Sequence, residues 1–318
     1  MSPFKRWCKQ QNTALLLVCV CVAMMVFLSI KTQSFFSLKN VVNILEANSY
    51  RLLLAVGMMC VIASGAMDLS VGSILSLSAI CAASAIRAGA PVGAGIAVAL
   101  LAGLGMGVLN GLLIHLTRIN AFIITLGTAF LYRGMSLIMT QGIPITKLPQ
   151  AFRTIGCGDI FGMESGVTMA IVAVLVLIPL FYHTRWGHYV TALGGNPEAL
   201  KRQGVNIGAC RVSAFALMGL LAAVAGIIIT ARLNSAEANA GLNMEMDAIC
   251  AVILGGTALH GGRGSLFGTV VAVFLLGLIR NGLTIMSVSS YYQQFITGAL
   301  LLCAVIVAEL RERKTRLG

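Results

Sequence analysis

The sequence predicts an all-α, polytopic integral membrane protein, and three observations carry this prediction. Hydrophobic residues make up 58% of the 318-residue chain, whereas charged residues make up only 10%. A soluble protein carries roughly 25% charged residues, so this chain has too little polar surface for a water-soluble globule. Apolar stretches of about 17 to 22 residues recur along the chain, and a helix of about 20 residues crosses a bilayer. The low aromatic content of 7% argues against a β-barrel, whose strands alternate in polarity.

Clusters of basic residues mark the predicted cytoplasmic side. The formal net charge is +12, and half of the 22 Lys and Arg residues lie in three places. Because short loops rich in Lys and Arg stay in the cytoplasm, we expect all three clusters there. Nucleic-acid binding is a poor alternative, since the clusters border apolar stretches and lack interleaved aromatic residues. The clusters comprise Lys5, Arg6 and Lys9 at the N-terminus, Arg185, Lys201, Arg202 and Arg211 in a central loop, and Arg311, Arg313, Lys314 and Arg316 in the tail.

About ten membrane crossings place all three basic clusters on the cytoplasmic side. The first, at about 14–31, is long for a signal peptide and lacks a small-x-small cleavage site after it, so we expect it to be retained. The amphipathic segment "SFFSLKNVVNILEANS" is expected to lie at the outer interface. Further spans are predicted at about 51–66, 70–87, 92–114, 120–140, 166–183, 211–231, 247–260, 264–284 and 289–309.

Two polar, Gly-bearing interruptions predict broken helices. "GAMDLS" (65–70) separates the second and third spans, and "GGTALHGGRGS" (255–265) ends the short eighth span. Irregular backbone at membrane depth is tolerated only where protein or a water-filled cavity covers it. "NGLLI" (110–114) and "NGLTI" (281–285) also suggest an internal repeat whose copies run in opposite directions. Inverted repeats with interrupted helices are typical of transporters.

The stretch "GGNPEALKRQG" (194–204) predicts a short, capped helix within the central basic loop. It has an N-cap residue, Pro at the first helical position, an acidic first turn, a basic last turn and a closing Gly. A helix of about six or seven residues is marginal alone, and its apolar residues are too few for a core. It therefore either connects two spans or docks on a partner protein. The capping and charged positions are held by Asn196, Pro197, Glu198, Lys201, Arg202 and Gly204.

The residues around this helix resemble a known family. "RWGHYVTALGGNPEALKRQGVNI" (185–207) is similar to the cytoplasmic loop of bacterial ABC-transporter permeases of the ribose/galactose type. In that family a Glu-Ala pair followed by Gly marks the coupling helix that contacts the ATPase, and Glu198, Ala199 and Gly204 match it. Similar stretches in the same order extend the resemblance over about residues 35–308. They are "GAMDLSVGSILSL" (65–77), "AFIITLGTAFLYRG" (121–134), "AVAGIIITARLNSAEANAG" (223–241), "EMDAICAVILGGTALHGGRGSLFGT" (245–269) and "NGLTIMSVSSYYQ" (281–293).

The resemblance implies one transmembrane permease domain, residues 1–318, of an importer for a ribose-like pentose or a related hexose. Its cytoplasmic segments would be 1–13, about 184–210 and 310–318. The implied partners are a second copy of the chain, a cytoplasmic ABC ATPase, a periplasmic sugar-binding protein and the lipid of the bacterial inner membrane. The residues implied to couple to the ATPase are Asn196, Pro197, Glu198, Ala199, Leu200, Lys201, Arg202 and Gly204.

The sequence predicts a transport subunit and not an enzyme. It contains no G-x-x-x-x-G-K-[ST] motif, so we expect ATP and Mg²⁺ to be bound by the partner ATPase and no cofactor by this chain. The four His residues do not form an H-E-x-x-H motif, and no Cys/His spacing predicts a metal site. The chain departs from the family pattern at Ala66-Met67 and at Arg280, which leaves the sugar open.

Polar and ionisable residues within the apolar segments are candidates for the translocation path, since charges in lipid are costly and usually functional or paired. Asp68 either caps the helix of the third span or shapes a gate at the broken helix. Arg133 either snorkels to the outer surface or faces the bundle interior. Glu245 and Asp247 either complement the dipole of the eighth span or, with Glu237, contact the periplasmic binding protein. The path candidates are Asp68, Ser70, Asn110, Arg133, Arg280 and Asn281.

Two alternatives stay open at this point. A secondary transporter driven by protons or sodium ions would use an acidic residue at the membrane midplane, and Asp68 is the candidate for it. Relatives with the implied architecture also carry nucleosides, a sugar-derived signalling molecule or branched-chain amino acids.

Overall fold

The computed structural model of the protein describes residues 12–32, 35–160, 162–289, 291–293, 295–300, 302–303 and 305–306. Most of these residues are helical. The predicted tail and residues 1–11 of the predicted cytoplasmic N-terminus lie outside the described residues. The helices are α1 (Asn12–Lys31), α2 (Leu38–Ala63), α3 (Val71–Arg87), α4 (Val92–Thr117), α5 (Ala121–Thr140), α6 (Gln150–Cys157), α7 (Ser165–His183), α8 (Arg185–Gly195), α9 (Pro197–Arg202), α10 (Ile207–Leu233), α11 (Met244–Leu254) and α12 (Leu266–Ile285).

Seven helices in the described part of the chain are long and apolar enough to cross a membrane, namely α1, α2, α4, α5, α7, α10 and α12. The predicted spans at 70–87 and 247–260 correspond to shorter helices, the 17-residue α3 and the 11-residue α11. The described residues after 290 are helical and fall within the last predicted span. The predicted all-α, multi-pass fold is therefore confirmed.

The amphipathic segment at 34–49 is where the prediction and the structure differ. It does not form a separate interfacial element, because α2 runs without a break for 26 residues and includes residues 38–49 of the segment. The hydroxyl of Ser37 caps this helix by accepting from the amide of Asn40. The polar side chains of Asn40, Asn48 and Ser49 are buried against other helices, so the polar face of the segment points into the protein.

The centre of the bundle consists of α2, α3 and α10. In the most apolar stretches of α2 and α10, 78% and 67% of the residues are buried, against 22% to 33% in α1, α4, α5 and α7. These four outer helices expose many large apolar side chains, as expected of helices that face lipid. Examples are Leu16, Val26, Leu101, Phe130, Ile138, Leu175 and Val176.

A row of glycines brings α4 against α10. A Cβ added at Gly103 would lie 2.5 Å from the carbonyl oxygen of Gly219, and one at Gly107 would lie 2.3 Å from that of Phe215. One turn further, a Cβ at Gly111 would lie 2.7 Å from the Cα of Val212. The two backbones are thus in direct contact, which is the packing that small residues at every fourth position permit between membrane helices.

The bundle has two distinct ends. The short helices α8 and α9 and the loop 255–265 lie at one end, which we call the coupling end. At the opposite end α6 packs on α10, where Phe152 is fully buried. Two small antiparallel sheets complete this opposite end. They pair β1 (Ile145–Thr146) with β4 (Ser235–Ala236) and β2 (Asp159–Ile160) with β3 (Met163–Glu164).

Candidate functional site

The short helix α9 has the boundaries that its capping residues predict. The Oδ1 atom of Asn196 accepts from the amide of Ala199 at 3.0 Å, and Pro197 is the first helical residue. After the last turn, the φ angle of Gly204 is +79°, in the left-handed region that favours glycine. The predicted helix and its N-cap are therefore confirmed.

Within α9 only Leu200 is buried, with 3% of its surface exposed. It holds the helix against the rest of the protein. The other side chains of the helix are exposed and present one acidic and two basic groups at its surface. These exposed residues are Pro197, Glu198, Ala199, Lys201 and Arg202.

Three glycine-bearing segments meet just behind α9. The amide of Gly262 donates to the carbonyl oxygen of Ala63, the last residue of α2, at 3.0 Å. Gly194, near the end of α8, is packed so closely that an added Cβ would lie 2.1 Å from that same oxygen and 2.6 Å from the Gly262 nitrogen. An added Cβ at Gly261 would lie 2.7 Å from Gly65. We call this contact of Gly65, Gly194, Gly261 and Gly262 the glycine junction; it joins α8 to both predicted helix breaks.

Three of the predicted path residues form one buried cluster at the break between α2 and α3. The Oδ1 atom of Asp68 accepts from the amide of Ser70 at 2.8 Å and from its hydroxyl at 2.6 Å. The hydroxyl of Ser70 in turn accepts from the Nδ2 atom of Asn110 in α4 at 2.8 Å. All three side chains are fully buried. Asp68 therefore stabilises the start of α3. The hydrogen bond between Ser70 and Asn110 connects this start to α4.

Tyr132 is a member of this cluster that the sequence analysis missed. Its hydroxyl lies 3.1 Å from the Oδ1 atom of Asn110 and 3.2 Å from the carbonyl oxygen of Met106. Tyr132 shares one face of α5 with Thr128 and Ser136, and all three are buried. This polar face at four-residue spacing was the signal that could have revealed it.

Arg133 faces the bundle interior, so the snorkelling alternative is wrong for this residue. Its Nη1 atom donates to the hydroxyl of Ser76 in α3 at 3.0 Å and to the carbonyl oxygen of Ala240 at 2.8 Å. It also contacts the carbonyl oxygen of Ala238. Arg133 thus holds the loop between α10 and α11 against α3 and α5.

The same loop touches the beginning of α3. A Cβ added at Gly72 would lie 2.2 Å from the carbonyl oxygen of Gly241 and 2.8 Å from the Oε2 atom of Glu245. The first turns of the two short helices, α3 and α11, therefore meet inside the bundle. Half-helices that begin inside a bundle are a recurrent way to build transport sites.

Arg280 and Asn281 lie in a second polar group, apart from the Asp68 cluster. The guanidinium of Arg280 in α12 forms an ion pair with Asp247 in α11. Asn281 and Asn40 of α2 exchange two side-chain hydrogen bonds, of 2.7 Å and 3.1 Å. Arg51 of α2 lines a small cavity together with Asp247 and Arg280.

A cleft of about 330 Å³ opens beside the Arg280–Asp247 pair. It lies between α11, α12 and the helical residues that follow position 290. Its walls carry charged, amide and hydroxyl groups, which together can both donate and accept hydrogen bonds. It is lined by Asn243, Met246, Asp247, Arg280, Gln293, Thr297 and Gly298.

Glu237, the acidic residue of the loop before α11, is partly exposed. Glu237 accepts from the hydroxyl of Ser235 at 3.1 Å. Among the residues that the structure describes, no group of three His, Cys, Asp or Glu side chains is placed to hold a metal ion.

These features define a class of protein. A bundle with apolar outer helices, paired charged groups in its interior and two short helices that begin there is the transmembrane part of a transport protein. The chain belongs to the family described as branched-chain amino acid transport system / permease component, whose model matches residues 40–305. It is thus a transport subunit, and ATP hydrolysis belongs to a separate protein of the transport system.

Curated relatives match nearly the whole chain. The ribose import permease protein RbsC of Escherichia coli (strain K12) is 37% identical over 307 residues, which cover 95% of this chain and 94% of that one. The ribose import permease protein RbsC of Bacillus subtilis (strain 168) is 38% identical over 286 residues and 89% of each chain. The D-allose transport system permease protein AlsC of Escherichia coli (strain K12) is 32% identical over 286 residues, 90% of this chain and 88% of that one. No solved structure shows a significant match.

Proposed function

We propose that the chain is the permease of an ATP-driven importer that moves a monosaccharide into the cytoplasm. The observation that carries the proposal is α9, a capped helix with one buried residue and an otherwise exposed, charged surface. Leu200 holds the helix against this chain, and the charged surface that stays exposed is available to a partner protein. The glycine junction behind α9 would transmit a displacement of this helix to both helix breaks.

The names of the relatives support a sugar as the cargo. Relatives that cover most of the chain are named for ribose, D-allose and, in Azospirillum brasilense, L-arabinose. Three different monosaccharides among the relatives favour a monosaccharide over a nucleoside, an amino acid or a sugar-derived signal. A ribose-like pentose is our first choice, since the ribose permeases share 36% to 38% identity with this chain.

The partners and the orientation follow from the same proposal. Both termini and α9 would lie in the cytoplasm of a bacterium, with the chain in its inner membrane and in contact with lipid. A cytoplasmic ATPase would hold ATP and Mg²⁺ and bind α9, so this chain needs no cofactor. A periplasmic binding protein would deliver the sugar to the opposite end, where the partly exposed Glu237 is its proposed contact. Glu245 packs beside Gly72 and Asp247 pairs with Arg280 inside the bundle, so neither forms this contact. A second copy would cover the open side of the cleft, because a charged pair is costly against lipid.

The proposal is tested by uptake measurements with purified components. The permease would be reconstituted in liposomes with its ATPase and with labelled ribose bound to the binding protein. We expect uptake only when the ATPase and ATP are present, at fixed proton and sodium gradients. Uptake that follows an ion gradient in the absence of the ATPase would instead identify a secondary transporter.

A further inference from the structure

The cleft beside the Arg280–Asp247 pair has walls that are too polar for a lipid-facing surface. Asn243, Gln293 and Thr297 add amide and hydroxyl groups to the ion pair. Ionisable groups within a membrane bundle normally pair with one another and line a cavity or a passage. Arg280 and Asp247 pair with each other, and both line the cleft.

Along the membrane normal, the cleft lies between the two ends of the bundle. With 11 residues, α11 rises by about 16 Å, roughly half of the hydrocarbon thickness. The loop that follows it reaches the glycine junction at the coupling end. The first turn of α11, which carries Asp247, therefore begins well inside the bundle. Arg280 comes 14 residues after the start of α12, a rise of about 21 Å from the coupling end.

The groups in the cleft match the chemistry of a sugar. Each sugar hydroxyl both donates and accepts a hydrogen bond; the carboxylate of Asp247 only accepts, and the guanidinium of Arg280 only donates. Side chains of Gln293 and Thr297 do both. A volume of about 330 Å³ is at the lower end of the range for small-molecule sites, which suits one monosaccharide.

Arg51 can compensate the charge of the Asp247 carboxylate when the Arg280–Asp247 ion pair opens. It lies in α2 on the other side of the pair and lines the neighbouring small cavity with Asp247 and Arg280. Its Nε atom is buried and has no hydrogen-bond partner among the described residues. A second guanidinium group thus lines the same small cavity as Asp247, so Arg51 can compensate the charge of Asp247 when Arg280 turns to a sugar.

We propose that this cleft is the passage for the sugar and that Arg280 and Asp247 determine which sugar crosses. The inference rests on the proposed function and adds two points: the location of the sugar passage and the pair of residues that determines its specificity. Sugar hydroxyls replace the bonds between the two side chains during passage, and the pair closes again behind the sugar.

A first experiment blocks the cleft. Thr297→Trp places an indole ring among the lining residues, and we expect at least about a tenfold loss of uptake, equivalent to about 1.4 kcal/mol. The amount of permease in the membrane and its binding to the ATPase should not change. Leu302→Trp is the matched control, since Leu302 is an exposed apolar residue outside the cleft lining and should tolerate the larger ring. Normal uptake by Thr297→Trp would overturn the inference.

A second experiment separates recognition from structural pairing. In the double variant Asp247→Arg with Arg280→Asp the ion pair is kept, but the donor and the acceptor change places. We expect normal amounts of permease, with uptake rates for ribose, allose and arabinose whose ratios change by at least about tenfold. Unchanged ratios with full uptake would show that the pair has only a structural role.

The ion pair between Arg232 and Glu46 is the control for this experiment. Its atoms lie 2.9 Å apart, it also joins two helices, and neither residue lines the cleft. The exchange Arg232→Glu with Glu46→Arg should leave the sugar ratios unchanged. If the unaltered permease takes up no sugar in the complete system, the proposed function itself fails. If the unaltered permease and Thr297→Trp both take up sugar normally, the proposed function holds and only the assignment of the cleft as the passage is wrong.

Discussion

At the scale of single residues, burial makes a common hydrogen bond, from a backbone amide to an aspartate side chain, necessary for stability. Asp68 and Asp159 each accept a backbone amide through Oδ1, from Ser70 at 2.8 Å and from Gly162 at 2.7 Å. Asp68 is fully buried, whereas Asp159 is exposed. Water can replace the aspartate bond at the exposed site but not at the buried one, so the same substitution should have different costs.

We therefore expect Asp68→Ala to destabilise the folded permease by about 1–3 kcal/mol for each donor of Ser70 left without an acceptor. Asp68→Asn should lose little of this stability, because the amide oxygen can accept the same two bonds. Asp159→Ala is the control and should change stability by no more than about 0.5 kcal/mol. Thermal unfolding in detergent measures all three, and an Asp68→Ala protein as stable as the unaltered one would refute this role of Asp68.

At the scale of secondary-structure elements, α9 shows how a helix without a core can be specified. Its limits follow from local chemistry, because Asn196 caps one end and Gly204 closes the other. Its position follows from tertiary contacts, namely the burial of Leu200 and the glycine junction. Its exposed charged surface is available to a partner.

A charge reversal on α9 tests that surface. We expect Glu198→Lys to lower ATP-driven uptake by at least about tenfold, since misplaced like charges at an interface cost several kcal/mol. The amount of permease in the membrane should stay normal because Glu198 is exposed. Gln203→Lys adds a positive charge at the other end of the same helix and should preserve uptake. Normal uptake by Glu198→Lys would contradict docking through this residue.

The glycine junction offers a sharper test, because two neighbouring glycines differ in the space around them. Gly194→Ala would force a Cβ to within 2.1 Å of the carbonyl oxygen of Ala63, so we expect a loss of about 1–3 kcal/mol in stability together with impaired uptake. At Gly195 the nearest atom lies 3.8 Å from the added Cβ, in ordinary contact. Gly195→Ala should be neutral or slightly stabilising, since alanine favours a helix. Equal behaviour of the two variants in thermal unfolding would exclude a tight junction.

At the scale of the whole molecule, the membrane-spanning helices partly bury several charged side chains and expose many large apolar ones. The ion pairs Arg232–Glu46 and Arg280–Asp247 and the interior position of Arg133 illustrate this arrangement. It is the arrangement expected in lipid, where exposed charges are costly and apolar surfaces are not.

The orientation of the whole molecule can be measured with single cysteines. Ala199→Cys lies at the coupling end and Gln150→Cys at the opposite end, and both positions are exposed. A membrane-impermeant thiol reagent should label Gln150→Cys in intact cells and Ala199→Cys only after the membrane is opened. The unaltered chain, with its nine cysteines, gives the background. Labelling of Ala199→Cys from outside would invert the proposed topology.

Much of the fold could be predicted from the sequence because membrane crossing depends on length and apolarity, which are local properties. Seven of the predicted spans and the limits of α9 are examples. The continuity of α2 could not be predicted, since it depends on partners such as Asn281 that bury its polar face. The predicted inverted repeat stays a prediction.

The sequence by itself determined which residues are polar within apolar segments, and therefore which were candidates for the path. Only the tertiary structure decided how they group: Asp68, Ser70 and Asn110 join Tyr132 at one helix break, whereas Arg280 pairs with Asp247 beside the cleft. The physical reason is that the partners of a buried polar group come from distant parts of the chain. Spacing along the chain shows that such a group needs a partner, and only the packing of the helices shows which partner it has.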